Sequence, residues 1–235
     1  VTALPLLALL LLGPKLPSAG VVGSGAFTPV AATWVQAKTG DEYVFNGTTT
    51  VSTGNLTSDP NTGMLVAFVV SYHGTLPPLS SIADTRGMTW TNRTNLVGTN
   101  SHTEIWTAPI TGSGTCNVTA TWASNVEYRH ITVVEISGVN GYNAQTSQAN
   151  VSADPAPSLT LNVTSQPAFV LHMIVPWSNG TPAADAGWTD RGRFGGTNQA
   201  VEIETTRVTA TGNKTGTWVL AWEANTQAMI SLTEG

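Results

Sequence analysis

The stretch "WTNRTNLVGTNSHTEI" (residues 90–105) returns later in the chain as "WTDRGRFGGTNQAVEI" (188–203). The two align without a gap and match Trp90 with Trp188, Arg93 with Arg191, Gly98 with Gly196, Asn100 with Asn198 and Glu104 with Glu202. A repeat of this kind governs the reading of everything around it. Downstream, after a two-residue insertion, Thr111 and Gly112 fall against Thr211 and Gly212, and Trp122 against Trp222. Upstream, "GMLVAFVVSYHG" (63–74) has its counterpart in "AFVLHMIVPWSNG" (168–180). Each copy then holds about 80 to 95 residues and roughly six strands. Two copies are too few for a solenoid.

Local patterns agree with strands. "MLVAFVVSY" (64–72) and "RHITVVEIS" (129–137) are near-continuous apolar runs, whereas "HTEIWTA" (102–108) and "NVTATWA" (117–123) alternate as half-buried strands do. No window shows a helical stripe. The expected fold is all-β: a duplicated β-sandwich, jelly-roll-like, with an extended apolar N-terminal arm. The halves either interleave into one sandwich, the preferred arrangement, or follow one another as two. In the first case "GVNGYNAQTSQANVSADPAPS" (138–158) is a crossover, in the second a linker. The expected divisions are an arm and connector at 1–40, a first repeat at 41–138, a crossover or linker at 139–157 and a second repeat at 158–235.

Composition narrows the function. Of 235 residues, 41% are hydrophobic and only 10% charged, well below the usual quarter. Thr, Ser, Asn and Gly stand where Lys and Glu normally would, which suits strands and turns. A net charge of −5 leaves no basic patch to displace counterions from phosphates, so nucleic acid is not an expected partner. The single cysteine, Cys116, precludes an internal disulfide, and its strand context "GTCNVTATW" predicts a small buried side chain.

The chain opens "VTALPLLALLLLGPKLPSAG" (1–20). No basic segment precedes the apolar run, unlike a secretory signal. The run is too short to span a bilayer, and Pro5, Gly13, Pro14 and Pro17 break any long helix. It reads as an arm kept in the mature protein, with Leu6, Leu7, Leu9, Leu10, Leu11 and Leu12 as its partner-binding residues. Such a leucine cluster needs a covering surface.

Signatures of chemistry are sparse. His73, His102, His130 and His172 lack metal-ligand spacing, and the sequence contains no GxSxG elbow and no phosphate loop. No cofactor or metal is implied. His172, inside an apolar strand, is expected to be a satisfied core histidine. Arg93 with Glu104, and Arg191 with Glu202, are expected as cross-strand ion pairs. Glu202 and Glu204 share one strand face, as candidate hydrolytic acids would, but the first repeat has Trp106 opposite Glu204. Trp90, Trp122, Trp188 and Trp222 read as core anchors. Trp34, Trp106 and Trp177, without partners in the repeat, are the candidates for stacking on glycans. Eight of the sixteen asparagines begin N-x-[ST] and are candidate glycosylation sites: Asn46, Asn55, Asn92, Asn117, Asn150, Asn162, Asn179 and Asn213.

The strand-and-turn text of "GMLVAFVVSYHG", "SIADTRGMTWTNR", "HTEIWTAPI", "NVTATWA", "ITVVEISGV" and "AGWTDRGR…AVEIETTRVTATG…TWVLAWEA" resembles a loosely defined group of β-sandwich proteins. These occur among virion proteins of tailed bacteriophages, especially of actinobacteria, and among secreted bacterial proteins. The resemblance spans about residues 43–234 and has no catalytic signature. It implies a non-enzymatic virion structural protein, a capsid decoration or minor tail protein on the particle exterior. The implied partners are a major capsid protein or other virion protein, further copies of the chain, and surface glycans. The second expectation is a secreted, glycosylated cell-surface or filament protein with a carbohydrate-binding β-sandwich. A glycan-active enzyme acting through Glu202 and Glu204 is the third.

Overall fold

The computed structural model describes residues 30–43, 48–58, 63–72, 76–98, 101–150, 154–176, 182–196, 200–220 and 224–235. They form an all-β molecule, a duplicated β-sandwich as the sequence predicts. The first half contributes β1 (Thr33–Tyr43), β2 (Thr50–Ser52), β3 (Leu56–Ser58), β4 (Gly63–Tyr72), β5 (Leu79–Asp84), β6 (Thr91–Val97), β7 (Ser101–Pro109), β8 (Gly114–Cys116), β9 (Val118–Trp122) and β10 (Tyr128–Ser137). The second contributes β11 (Val139–Asn150), β12 (Ser158–Val163), β13 (Ala168–Pro176), β14 (Thr189–Gly195), β15 (Ala200–Val208), β16 (Gly212–Thr217) and β17 (Asn225–Glu234).

Each half builds one five-stranded antiparallel sheet, in the orders β1-β10-β4-β7-β6 and β11-β17-β13-β15-β14. Short strands cover its outer face: β2-β9-β5 and β3-β8 in the first half, β12-β16 and an Ala183–Val219 bridge in the second. No sheet mixes strands of the two halves, so the preferred single interleaved sandwich gives way to two successive ones. The two large sheets pack against each other. Their shared core includes Met64, Val66, Phe68, Val70, Phe169, Leu171, Met173, Val175, Ile230 and Leu232. The molecule is therefore four layers deep.

This layering explains the apolar runs. In β4, Val66, Phe68 and Val70 point into the shared core, and Leu65, Ala67 and Val69 point into the first half's own core with Val118, Trp122 and Ile131. Side chains alternate between faces, so a strand covered on both sides has no polar positions to spare. Every residue of β4 and β13 is buried. Each Val, Leu, Ile, Phe or Met side chain among them, fully buried, contributes roughly 1.5–3 kcal/mol. Cys116 is buried in the first half's core, as expected.

Two boundaries differ from the sequence reading. β1 opens at Thr33, so residues 33–40 belong to the first sheet and not to a connector. The stretch 139–157, expected as crossover or linker, carries β11. Both are edge strands with one neighbour each, so their polar composition masks their strand character. The arm before Val30, with Leu6, Leu7, Leu9, Leu10, Leu11 and Leu12, lies outside the described residues. Val30 itself donates its N–H to the carbonyl of Gly235 (2.7 Å).

Candidate functional site

Of the repeated residues, Arg93, Arg191, Gly98 and Gly196 lie at the seam between the halves. β6 pairs with β7 and β14 with β15 in the same register: Thr91 lies opposite Thr107, and Thr189 opposite Thr205. Both ladders carry a bulge, at Arg93 and at Arg191. A bulge adds one residue and re-aims the side chain there. Each arginine therefore turns away from its expected glutamate and donates Nε to a threonine, Arg93 to Thr107 Oγ1 and Arg191 to Thr205 Oγ1, both at 2.8 Å. The Arg93–Glu104 and Arg191–Glu202 ion pairs do not form.

Each guanidinium instead lies over an aromatic ring of the other half. Arg93 sits 4.1 Å from the Tyr142 centroid and Arg191 sits 5.3 Å from that of Trp34. Trp34 and Tyr142 occupy matching places: each precedes a bulge, opposite Ile136 in β10 and Leu232 in β17 respectively. Trp34 thus has a counterpart, an aromatic of another type. The shared glycines follow the same exchange. A Cβ on Gly98 would stand 3.0 Å from Thr226 Cγ2, and one on Gly196 2.7 Å from Asp41 Oδ2, each across the seam. Tyr72 Oη donates to the Pro176 carbonyl (3.0 Å), and Thr103 and Thr226 join hydroxyls at 3.1 Å.

The glutamates serve different ends. Glu104 accepts from Leu79 N, Asn92 Nδ2 and Trp106 Nε1 at 3.1, 2.5 and 2.8 Å. Glu202 is 97% removed from solvent and meets Arg193 Nη1 only at 3.7 Å. Burial raises its pKa to about 7, against the opposing pull of the Arg193 charge. Glu204 is fully buried and holds His172: Nδ1 to Oε1 is 2.7 Å. Trp218 Nε1 donates to His172 Nε2 (3.2 Å), and Asp185 N donates to Glu204 Oε2 (3.0 Å). His172 is thus the satisfied core histidine the sequence predicts. Both partners of this pair have no exposed surface, and Gly216 packs directly over them.

Of the glycan-stacking candidates, Trp34 is half-buried with Arg191 on its ring and Phe194 6.1 Å away. Trp106 is half-buried against the first half's core. Trp177 lies outside the described residues. Trp90, Trp122 and Trp188 are core anchors. The counterpart of Trp122 is Trp218, not Trp222: their N–H groups donate to Thr49 and Pro157, each just before the matching strands β2 and β12. Trp222 itself lies outside the described residues. Among the candidate sequons, Asn55, Asn92, Asn162 and Asn213 are exposed and Asn117 is half-buried. Asn46, Asn179 and the side chain of Asn150 lie outside the described residues. Asn162 and Asn213 are direct cross-strand neighbours.

Among the described residues no cluster of His, Cys, Asp and Glu could hold a metal ion, and no helix is long and apolar enough to cross a membrane. Sequence reasoning missed Tyr142 and Trp218; the two strand bulges and the interrupted first-half strands concealed them. Protein-family models, curated proteins and solved structures yield no match to this chain.

Proposed function

We propose that this chain is a non-enzymatic structural protein of a virion, a capsid decoration or minor tail protein held to the particle by its apolar N-terminal arm. The observation that carries this reading is how the two halves use their repeated residues. Trp90 and Trp188, Arg93 and Arg191, and Gly98 and Gly196 all serve packing within a half or across the seam. The outward faces of the covering sheets are uncharged ladders, with Ser52–Thr119, Thr57–Thr115 and Thr160–Thr215 joined by their hydroxyls. A rigid body with such a skin suits display at a surface, with partner recognition left to the arm. There Leu6, Leu7, Leu9, Leu10, Leu11 and Leu12 supply roughly 1.5–3 kcal/mol apiece when fully buried. A groove on a major capsid protein or another virion protein is the proposed receptor, and the subunits self-associate in keeping with the shell's symmetry.

The deciding experiment follows the chain in its native source by mass spectrometry and repeats the measurement after deletion of residues 1–29. The expected result is recovery with particles at a fixed stoichiometry, lost on deletion, with the four exposed asparagines bare. Recovery in the medium or at the cell surface, with sugar mass on Asn55, Asn92, Asn162 or Asn213, overturns it. That outcome favours the second reading, a secreted glycosylated protein, which rests on the exposure of those asparagines.

A further inference from the structure

Arg93 does more than its counterpart. Its Nε is fixed by Thr107 and its plane by Tyr142, so the guanidinium is pre-positioned. Among the described residues no carboxylate comes within ion-pair reach of it, and it lines a cleft of about 480 Å³ at the seam. Met64, Ile110 and Val139 give this cleft apolar walls; Thr89, Thr91 and Asn140 edge it with hydroxyls and an amide, and all three are exposed. A volume in this range suits a small ligand.

The equivalent place in the second half is built differently. The shared strand registers put Phe169 where Met64 stands, Arg207 where Pro109 stands, Gly187 for Thr89 and Ala32 for Asn140. Arg207 is tied to Glu234, with Nη2 to Oε2 at 2.6 Å. The arginine–aromatic clasp is common to both halves, but where the first copy has the polar Thr89 and Asn140 beside it, the second has Gly187 and Ala32. Packing between the halves accounts for the clasp alone.

We infer that the cleft between Arg93, Asn140 and Tyr142 is a binding site for a carboxylate-bearing sugar, such as a hexuronate or a sialic acid. The planar fork of Arg93 matches a carboxylate bidentately. Thr89, Thr91 and Asn140 suit ring hydroxyls, and the apolar walls suit the C–H face of a pyranose. The site is independent of where the molecule resides, and so of the arm and the particle.

The test titrates the full chain with sodium glucuronate, galacturonate and N-acetylneuraminate, followed by NMR shift changes, with glucose and acetate as controls. At least one acid sugar is expected to bind about tenfold or more tighter than either control. Asn140→Trp, which crowds the mouth from an exposed position, and Arg93→Gln should each cost about tenfold or more; Arg191→Gln should leave affinity unchanged. Asn140→Trp decides the matter if Arg93→Gln fails to fold. Failure of all three acids to bind, acetate as effective as the sugars, glucose as effective as the acids, or full affinity in Asn140→Trp each overturns the inference.

Discussion

Glu202 and His130 are buried ionisable groups whose pKa values move in opposite directions. Burial holds Glu202 at about 7 and drives His130 down to about 3, where its Nε2 meets Thr132 Oγ1 at 2.7 Å. A folded carboxyl above its unfolded value keeps its proton while the unfolded chain loses it. Stability from Glu202 is therefore fully present below about pH 4.5 and declines until about pH 7. A histidine below its unfolded value acts in reverse: its contribution is full above about 6.5 and declines as pH falls towards 3. Each slope is at most about 1.4 kcal/mol per pH unit, so between about pH 4.5 and 6.5 they oppose and largely cancel. Wild-type urea midpoints should stay nearly level across that window and fall below it. Glu202→Gln removes one slope, and its midpoints should begin to fall at pH 6.5. A level profile in Glu202→Gln would show that folding does not oppose protonation of His130, and a wild-type profile that already falls as steeply as the variant's would show that Glu202 is ionised in the folded protein.

The two halves carry the same elements with one exchange of core chemistry. Ala67 on β4 corresponds to His172 on β13, Trp106 on β7 to Glu204 on β15, and Ala120 on β9 to Gly216 on β16. The substitutions are coupled by space. A Cβ on Gly216 would lie 2.5 Å from His172 Nδ1 and 2.9 Å from Glu204 Oε1, whereas Ala120 and Ala67 both belong to the first half's apolar core. Gly216→Ala should cost about 1–3 kcal/mol by overpacking. His172→Ala should cost about 3–5 kcal/mol, because it orphans the buried Glu204. Made together they should cost clearly less than the sum, since the second change removes the clash of the first. Additive losses in urea unfolding would mean that the two positions do not touch.

At this scale the sequence was legible where the two copies kept identical residues: Trp90 and Trp188, Gly98 and Gly196, and the apolar β4 and β13. It was illegible where a bulge broke the period of two. No alternation count places Arg93 over Tyr142, because the extra residue in each ladder turns the side chain out of phase. Trp218 was hidden by a different irregularity. The first half interrupts the strands that β12 and β16 run through, around Thr53–Asn55 and at Asn117. The extra residues therefore lie in the first repeat, and a match that places them in the second pairs Trp122 with Trp222 instead.

On the scale of the whole molecule, the exchanged contacts describe an isologous interface within one chain. β1 lies against β14 and β11 against β6, so each sheet's first strand packs on the other's last. The clasps Arg93–Tyr142 and Arg191–Trp34 are one contact made twice, as in a two-fold dimer. The register shifts in the large sheets fall only in pairs involving an outer strand (β1, β6, β11 or β14), where a bulge discourages pairing with another chain. The core between the sheets belongs to both halves, and neither can keep its large sheet buried if the other unfolds. The molecule should therefore unfold in one step, and single-tryptophan variants keeping Trp122 or Trp218 should report the same urea midpoint. Phe68→Ala, in the shared core, should lower both midpoints together by the equivalent of about 3–5 kcal/mol. The corresponding truncation Leu56→Ala, in the first half's own core, should also move both. Separate transitions for the two tryptophans would mean that the seam is weaker than either sandwich and that the halves are independent folding units joined by chance of sequence.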